Sequence, residues 1–293
     1  MDFKSLYSKH YKKLVFIPLL FLLFDLIIIS GTYMETGDFI NKDVSLQGGT
    51  TATIYSDAEF QNIQTVLKNN FPESDVIIRD LTEFGTEKRI GIIIEATHLK
   101  SNELQLVIEE EYDMMLTPEI FSVEEVGSAL GESFYKQMLV AMGLAFLFMS
   151  IVVLIIFRSL IPSFAVVLTA LTDIITTIAI IDLLGIKISA AGIAALLMLI
   201  GYSIDTDMLL TTKMLKRKDE GTTYARLKTA ITTGLTMTIT TLVALLVALP
   251  ISQSQVLKQM FTIIIIGLIV DVFMTYCFNA GILVWYLKKK QGQ

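Results

Sequence analysis

The stretch ISAAGIAALLMLIGYSIDTDMLLTT, residues 188–212, decides the architecture. A hydrocarbon core of roughly 30 Å takes about 20 apolar residues of helix. This stretch has that length, and its only charges are Asp205 and Asp207. Five more windows of the same kind lie at 14–34, 137–157, 162–184, 227–249 and 256–287. With 53% hydrophobic and 18% charged residues, the chain is too apolar for a soluble domain and too polar for membrane helices alone. The expected class is an α-helical polytopic membrane protein with six transmembrane helices and one domain outside the bilayer.

The polar remainder divides accordingly. Residues 1–13 are an N-terminal tail, 35–126 an outside domain, 127–287 hold helices 2–6, and 288–293 are a C-terminal tail. Lys4, Lys9, Lys12 and Lys13 precede the first window, which would suit a signal peptide. Its apolar run is longer than a signal core, however, contains Asp25 and ends without an Ala-x-Ala site, so a retained anchor is expected.

Basic residues set the orientation. The four N-terminal lysines, Arg158, the cluster Lys213, Lys216, Arg217, Lys218, Arg226 and Lys228, and Lys288, Lys289 and Lys290 share one side if six helices span. The opposite short loops hold only Lys187 and Lys258. The positive-inside rule then puts both termini in the cytoplasm and residues 35–136 outside, in a multi-pass protein of the plasma membrane. Residues 36–136 carry nineteen Asp and Glu against seven Lys and Arg, which disfavours nucleic acid as a partner. The single Cys277 excludes a disulfide framework.

Within the outside domain, TTATIY at 50–55 alternates as a strand. Asp57 is placed to cap a helix reaching about Asn69, with Phe60, Ile63, Val66 and Leu67 on one face. Residues 76–81 and 89–96 read as a hairpin around Gly85, Ser101 as the cap of a second helix with Leu104, Val107, Ile108 and Tyr112 inward, and 119–126 as a last strand. The order β-α-β-β-α-β predicts a ferredoxin-like α+β domain between helices 1 and 2.

No chemistry of an enzyme is legible. There is no Gly-Lys dipeptide for a phosphate loop and no HExxH, GxSxG or GxGxxG. His10 and His98 lack partners for a triad or metal, so no cofactor and no metal are expected. What stands out is acid inside the membrane: Asp25, Asp173, Asp205, Asp207 and Asp271. An ionised carboxylate at mid-membrane costs at least about 2.5–3.5 kcal/mol, and such residues are functional candidates by default. The only Lys or Arg within these windows, Lys228 and Lys258, lie at their ends, so protons, hydroxyl-rich neighbours or another subunit must neutralise them.

Helix rise puts Asp205 about 12 Å and Asp207 about 9 Å from Lys213, and Asp173 about 16 Å from Pro162 at the first turn of its own antiparallel helix, so Asp173 and Asp205 share a level. Residues two apart face opposite sides of a helix. Asp205 continues the small-residue stripe Ala191, Ala194, Met198 and Gly201, and is the first candidate for a buried proton-coupling role, with Asp207 second and Asp173 beside them. The alternative for each acid is structural hydrogen bonding. Thr229, Thr233, Thr236 and Thr240 form a polar stripe on helix 5 that either bonds back to its own carbonyls, joins helices at about 0.6 kcal/mol per contact, or lines a water path; joining helices is the expectation. Pro162 is expected at the first position of its helix, and Pro250 at the end of helix 5.

IGYSIDTDMLLTTK at 200–213, with Gly201, Tyr202 and Ser203 ahead of the acids, resembles the SecF family of the resistance-nodulation-division superfamily. Four more stretches are similar to that family: QGGT, comprising Gln47, Gly48, Gly49 and Thr50; FRSLIPS at 157–163; TDIITT at 172–177; and GLIVDVFMTY at 267–276. Asp205-Thr206 stands where bacterial members have Asn-Asp, and Thr236-Met237-Thr238 where they carry an arginine, which is closer to the archaeal version. The resemblance implies a SecD partner supplying six more helices, a Sec translocation channel beside it, unfolded exported polypeptides as substrate, surrounding membrane lipids, and proton flow near helices 4 and 5 promoting late translocation or release. A passive clamp without ion coupling and a small-molecule or lipid exporter are the other readings.

Overall fold

The computed structural model describes residues 3–290 apart from 57, 59, 61, 83–87 and 253. The chain forms two compact units: Lys42–Leu139 with Ile188–Ala190, and the remainder.

The first unit is built on a four-stranded antiparallel sheet. Its strands are β1 (Gly49–Ile54), β2 (Val76–Thr82), β3 (Arg89–Thr97) and β4 (Phe121–Val126), in the spatial order β2-β3-β1-β4. Helix α3 (Ile63–Asn70) connects β1 to β2, and α4 (Ser101–Tyr112) connects β3 to β4. The period of two expected for 50–55 is seen in β1, where Thr50, Ala52 and Ile54 are buried and Thr51 and Thr53 are not. Ala52 sits opposite Ile94 on one side and Val123 on the other. That face joins Ile92, Ile94 and Ala96 of β3 to Ile63 and Leu67 of α3 and Leu104 and Ile108 of α4 in one core. The expected cap Asp57 and turn residue Gly85 lie outside the described residues. Ser101 does not cap α4: Lys100 holds that position, and the Ser101 hydroxyl donates instead to Glu125 Oε2 at 2.8 Å.

Residues 47–50 have a structural account. Short helix α2 (Val44–Gln47) is capped by Asp43, whose Oδ1 accepts from the Ser45 amide at 2.9 Å. The chain then turns through Gly48 (φ 86°) and Gly49 (φ 141°) into β1. A Cβ on Gly48 would fall on the backbone of Ser128, one on Gly49 on the carbonyl of Ala96, and one on Gly131 on the backbone of Leu46 and Gly48. Thr50 fixes the exit, its hydroxyl donating to the Leu99 carbonyl at 2.5 Å. These glycines let the 46–49 turn lie directly on the start of α5 (Ser128–Phe157).

Glu109 closes the turn after α4. It accepts from Gln105 Nε2 at 3.0 Å and from the Leu116 amide at 2.9 Å, and these two donors hold its carboxyl below the usual range. A carboxyl depressed in the folded state contributes stability that is present above its unfolded value of about 4.3 and is lost as pH falls through the lower folded value. Acid thermal unfolding of the full chain is therefore expected to lose less stability in Glu109→Gln than in wild type over that window. Identical pH profiles would contradict this.

The second unit contains α1 (Phe3–Thr36), the rest of α5, α6 (Leu160–Leu183), α7 (Ala190–Leu215), a 3-10 turn (Lys218–Glu220), α8 (Thr223–Ile251), α9 (Gln255–Met274), a π-helical turn (Thr275–Asn279) and α10 (Ala280–Lys290). Six helices among the described residues are long and apolar enough to cross a membrane, the sixth running Gln255–Lys290 through the π turn. Helices α6, α7 and α9 with α10 form the inside, whereas α1, α5 and α8 expose most of their apolar surface. Such exposure suits lipid or another helix, not water. Pro162 stands third, not first, in α6, behind the cap Ser159; it is still within the first turn, where the missing N–H has no intrahelical acceptor. Pro250 is the penultimate residue of α8. Tyr7 of α1 is anchored in a core with Leu210, Met214, Leu227 and Leu283, and its hydroxyl donates to the Tyr276 carbonyl at 2.8 Å.

Candidate functional site

The inner helices are held by polar side chains at one place. Asp173 of α6, Asp207 of α7 and Asp271 of α9 meet there, the first two fully buried and the third 1% exposed. Ser203 of α7 donates to Asp173 Oδ2 and also lies against Asp271. Thr206 donates to the Asp271 carboxyl, 3.0 Å from Oδ2 and 3.2 Å from Oδ1. Thr275 lies 2.9 Å from Asp207 Oδ1 and 3.2 Å from Asp271 Oδ1, and Asn279 Nδ2 donates to Asp207 Oδ1 at 2.7 Å. Asp173 and Asp271 are joined through α7, whose Ser203 bonds the first and whose Thr206 bonds the second.

Counting donors defines the chemistry. An ionised carboxyl offers about four acceptor sites. Three carboxyls here share the hydroxyls of Ser203, Thr206 and Thr275 and the amide of Asn279. Asp173 Oδ1, Asp207 Oδ2 and Asn279 Oδ1 are buried with no partner, as is the hydroxyl of Thr211 one turn beyond Asp207. The ion pairs among the described residues join other groups, so no cation compensates these acids. Keeping all three carboxyls charged with buried oxygens that meet no donor is costly, and a bound proton removes that cost. The arrangement can therefore take up and release protons, with hydroxyls and an amide to steady whichever oxygen is left charged. Among the described residues no group of three or more His, Cys, Asp or Glu side chains is arranged to hold a metal ion.

The sequence placed these residues only in part. Asp205, expected on the buried face, is exposed, as are Ala194, Met198 and Gly201 of the same stripe, while Leu196, Ile200, Ser203 and Asp207 are buried. The expectation assigned the small residues to packing inside the chain, but α7 turns its larger apolar side chains inward; Leu199, for one, fills the space over Gly267 of α9. Asp173 thus meets Ser203 of α7, while Asp205, at the same level of that helix, faces away from it. Asp271, for which structural and titrating readings stood side by side, belongs to the cluster. Thr206, Thr275 and Asn279 were missed. The signal for the last two was their spacing of four and eight from Asp271, a polar stripe on an otherwise apolar helix. It is carried through a π turn, a feature that recurs at functional sites.

Asp25 stands apart, accepting from Thr176 Oγ1 at 2.5 Å and tying α1 to α6. The threonine stripe of α8 does not join helices within the chain. Thr229, Thr233, Thr236 and Thr240 each donate to the carbonyl four residues back, at 3.1, 2.8, 2.8 and 2.7 Å. Tyr202 is half-buried beside Ser203.

Six apolar spans define a multi-pass membrane protein, with a carboxyl cluster buried inside it that no cation among the described residues compensates. The sequence profile of "Protein export membrane protein SecD/SecF, C-terminal" matches residues 107–289. The chain is 33% identical to the protein-export membrane protein SecF of Methanothermobacter thermautotrophicus, over 96% of this chain and 94% of the relative. It is 35% identical to that of Methanocaldococcus jannaschii, over 97% and 99%. It belongs to the SecD/SecF family of protein-export membrane proteins. A crystal structure of SecDF, a translocon-associated membrane protein from Thermus thermophilus, shares the fold with TM-score 0.66 and 22% identity, covering 95% of this chain and 38% of that one.

Proposed function

We propose that this chain is an accessory subunit of the Sec export machinery that works with a SecD sister subunit, and that protons passing through the Asp173–Asp207–Asp271 cluster drive late translocation or release of exported polypeptides. The observation that carries this reading is the cluster itself: three acids from three inner helices, short of donors and without a cation. One elementary charge crossing 100 mV supplies about 2.3 kcal/mol, enough to bias a conformational change. The basic residues at the helix ends support cytoplasmic termini. The sheet unit is read as a ferredoxin-like domain, residues 35–126, lying outside the bilayer between the first and second spans, beside the Sec channel, where it meets the unfolded polypeptide; its β-α-β-β-α-β order and acidic surface support this.

The exposed stripe Ala194, Met198, Gly201 and Asp205 of α7, with the threonine stripe of α8, is the face offered to the sister subunit. Small residues favour close helix contact, and an acid facing lipid alone is costly. Asp205 then completes its polar contacts through the partner and remains a coupling candidate there. Nothing lies within 4 Å of a Cβ built on Gly201, and the residue is exposed, so Gly201→Ile points its bulk away from the chain's own packing. It is expected to lower co-purification of SecD with this chain. Undiminished co-purification would remove this face from the interface.

Infrared difference spectroscopy tests the proton reading. A step across the physiological pH range applied to the protein in lipid is expected to change a protonated-carboxyl band, and Asp271→Asn to diminish that change. A wild-type spectrum without any carboxyl change would contradict the reading.

A further inference from the structure

A second polar concavity lies well away from the acids, where five helix ends of the membrane unit come together. A pocket of about 620 Å³ is lined by Phe157 and Ser159 between α5 and α6, Leu215 and Lys216 at the end of α7, Gly221, Thr222, Thr223 and Arg226 at the start of α8, and Tyr286, Leu287 and Lys290 at the end of α10. Its charged lining is three cations, Lys216, Arg226 and Lys290, with no acid.

Arg226 is the unusual member. It is 5% exposed, yet no carboxylate among the described residues pairs with it. Its Nη1 donates to the Met214 carbonyl at 2.7 Å, a cap on the end of α7, and its Nη2 reaches Thr223 Oγ1 only at 3.4 Å. Its Nε is buried with no partner at all. Capping α7 accounts for one nitrogen and leaves the rest of a fork of five donors underused. A buried, unpaired guanidinium is costly unless something anionic completes it.

The surroundings supply what such an anion needs. The 29-residue α8 begins at the pocket, and its first-turn amides and positive dipole end favour a phosphate. The C-terminal ends of α5, α7 and α10 bring opposing dipoles, but Arg226 already occupies the Met214 carbonyl, and Lys216 and Lys290 stand at two of these ends. Both lysines rest on aromatic rings of the pocket wall, Lys216 Nζ 5.6 Å from the Phe157 ring centroid and Lys290 Nζ 5.9 Å from that of Tyr286. Ser159 and Tyr286 add paired hydroxyls at 3.1 Å. The volume falls within the range of about 300–1,000 Å³ typical of organic ligands, and the Phe157, Leu215 and Leu287 side chains give one wall an apolar character. Basic pockets between helix ends at a membrane boundary suit anionic lipid headgroups.

We propose that this pocket binds a phosphate-bearing anion, held by Arg226, Lys216, Lys290 and the start of α8, and that its natural source is the headgroup of an anionic phospholipid. The site is independent of the carboxyl cluster and of proton coupling.

Native mass spectrometry of the full chain, delipidated and titrated with phosphatidylglycerol, phosphatidylcholine or inorganic phosphate, tests it. Retention of one phosphatidylglycerol in preference to phosphatidylcholine is expected. Arg226→Gln should weaken that binding on the order of tenfold, the scale of one charge-assisted contact of about 1.4 kcal/mol. Because Arg226 also caps α7, the double variant Lys216→Gln with Lys290→Gln, both exposed, is measured alongside and is expected to weaken binding without lowering thermal stability in detergent. Inorganic phosphate that binds alone and displaces no lipid would overturn the lipid assignment. Equal retention of both lipids, unchanged in both variants, would overturn the site.

Discussion

Replacing Asp207 by asparagine is expected to leave the chain folded and inserted while removing its gradient-driven contribution to export. Asparagine is nearly isosteric, and its amide oxygen still accepts from Thr275 and Asn279, which lie 2.9 and 2.7 Å from Asp207 Oδ1. It cannot exchange a proton. A proton moved through 100 mV is worth about 2.3 kcal/mol, close to fiftyfold in an equilibrium constant, and that factor bounds the loss. Asp173→Asn and Asp271→Asn are expected to behave alike, because both carboxyls are buried in the same cluster and bonded to hydroxyls of α7. Asp25→Asn is the control. Thr176, its hydrogen-bond partner among the described residues, still finds an oxygen to donate to, so export in this variant should stay near wild type. Export assays in cells carrying each variant separate the two groups; full activity of all three cluster variants would end the proposal.

The second large effect is expected in the sheet unit. Gly48→Val places a β-branched side chain at φ 86° and drives its Cβ into the backbone of Ser128. The left-handed conformation costs about 1–2 kcal/mol and the overlap about 1–3 kcal/mol more, a large share of the stability of a small unit. Limited proteolysis of the full chain should show cleavage within residues 42–139 at protease levels that leave wild type intact. Gly127→Ala, where a Cβ meets nothing within 4 Å, should be silent in the same assay. Equal resistance of Gly48→Val would mean that the turn yields where the packing says it cannot.

What was legible in the sequence was whatever local pattern decides. The six spans follow from the length and hydropathy of each window alone, and β1 from its alternation. The β-α-β-β-α-β succession was readable because β1 alternates and α3 and α4 bury Ile63 and Leu67, and Leu104 and Ile108, at helical spacing. What failed depended on distant residues. Asp205 and Asp207 sit two apart, and nothing in their own helix says which faces α6 and α9; Asp271 and Asn279, more than sixty residues on, decide it. Ser101 looked like a cap until Glu125 of β4 took its hydroxyl. The small stripe of α7 was expected to pack within this chain, but Ala194, Met198, Gly201 and Asp205 are exposed, because the larger apolar residues of the helix face inward.

On the function proposed above, proton exchange at the Asp173–Asp207–Asp271 cluster drives export. The most direct measurement is export into sealed vesicles carrying this chain, its SecD partner and the channel, with and without an imposed proton gradient. The account predicts that the gradient raises export with wild type and has no effect with Asp207→Asn. Stimulation by wild type and Asp207→Asn alike, whether or not a gradient is present, would contradict it and leave a passive clamp whose buried acids serve only to hold three helices together.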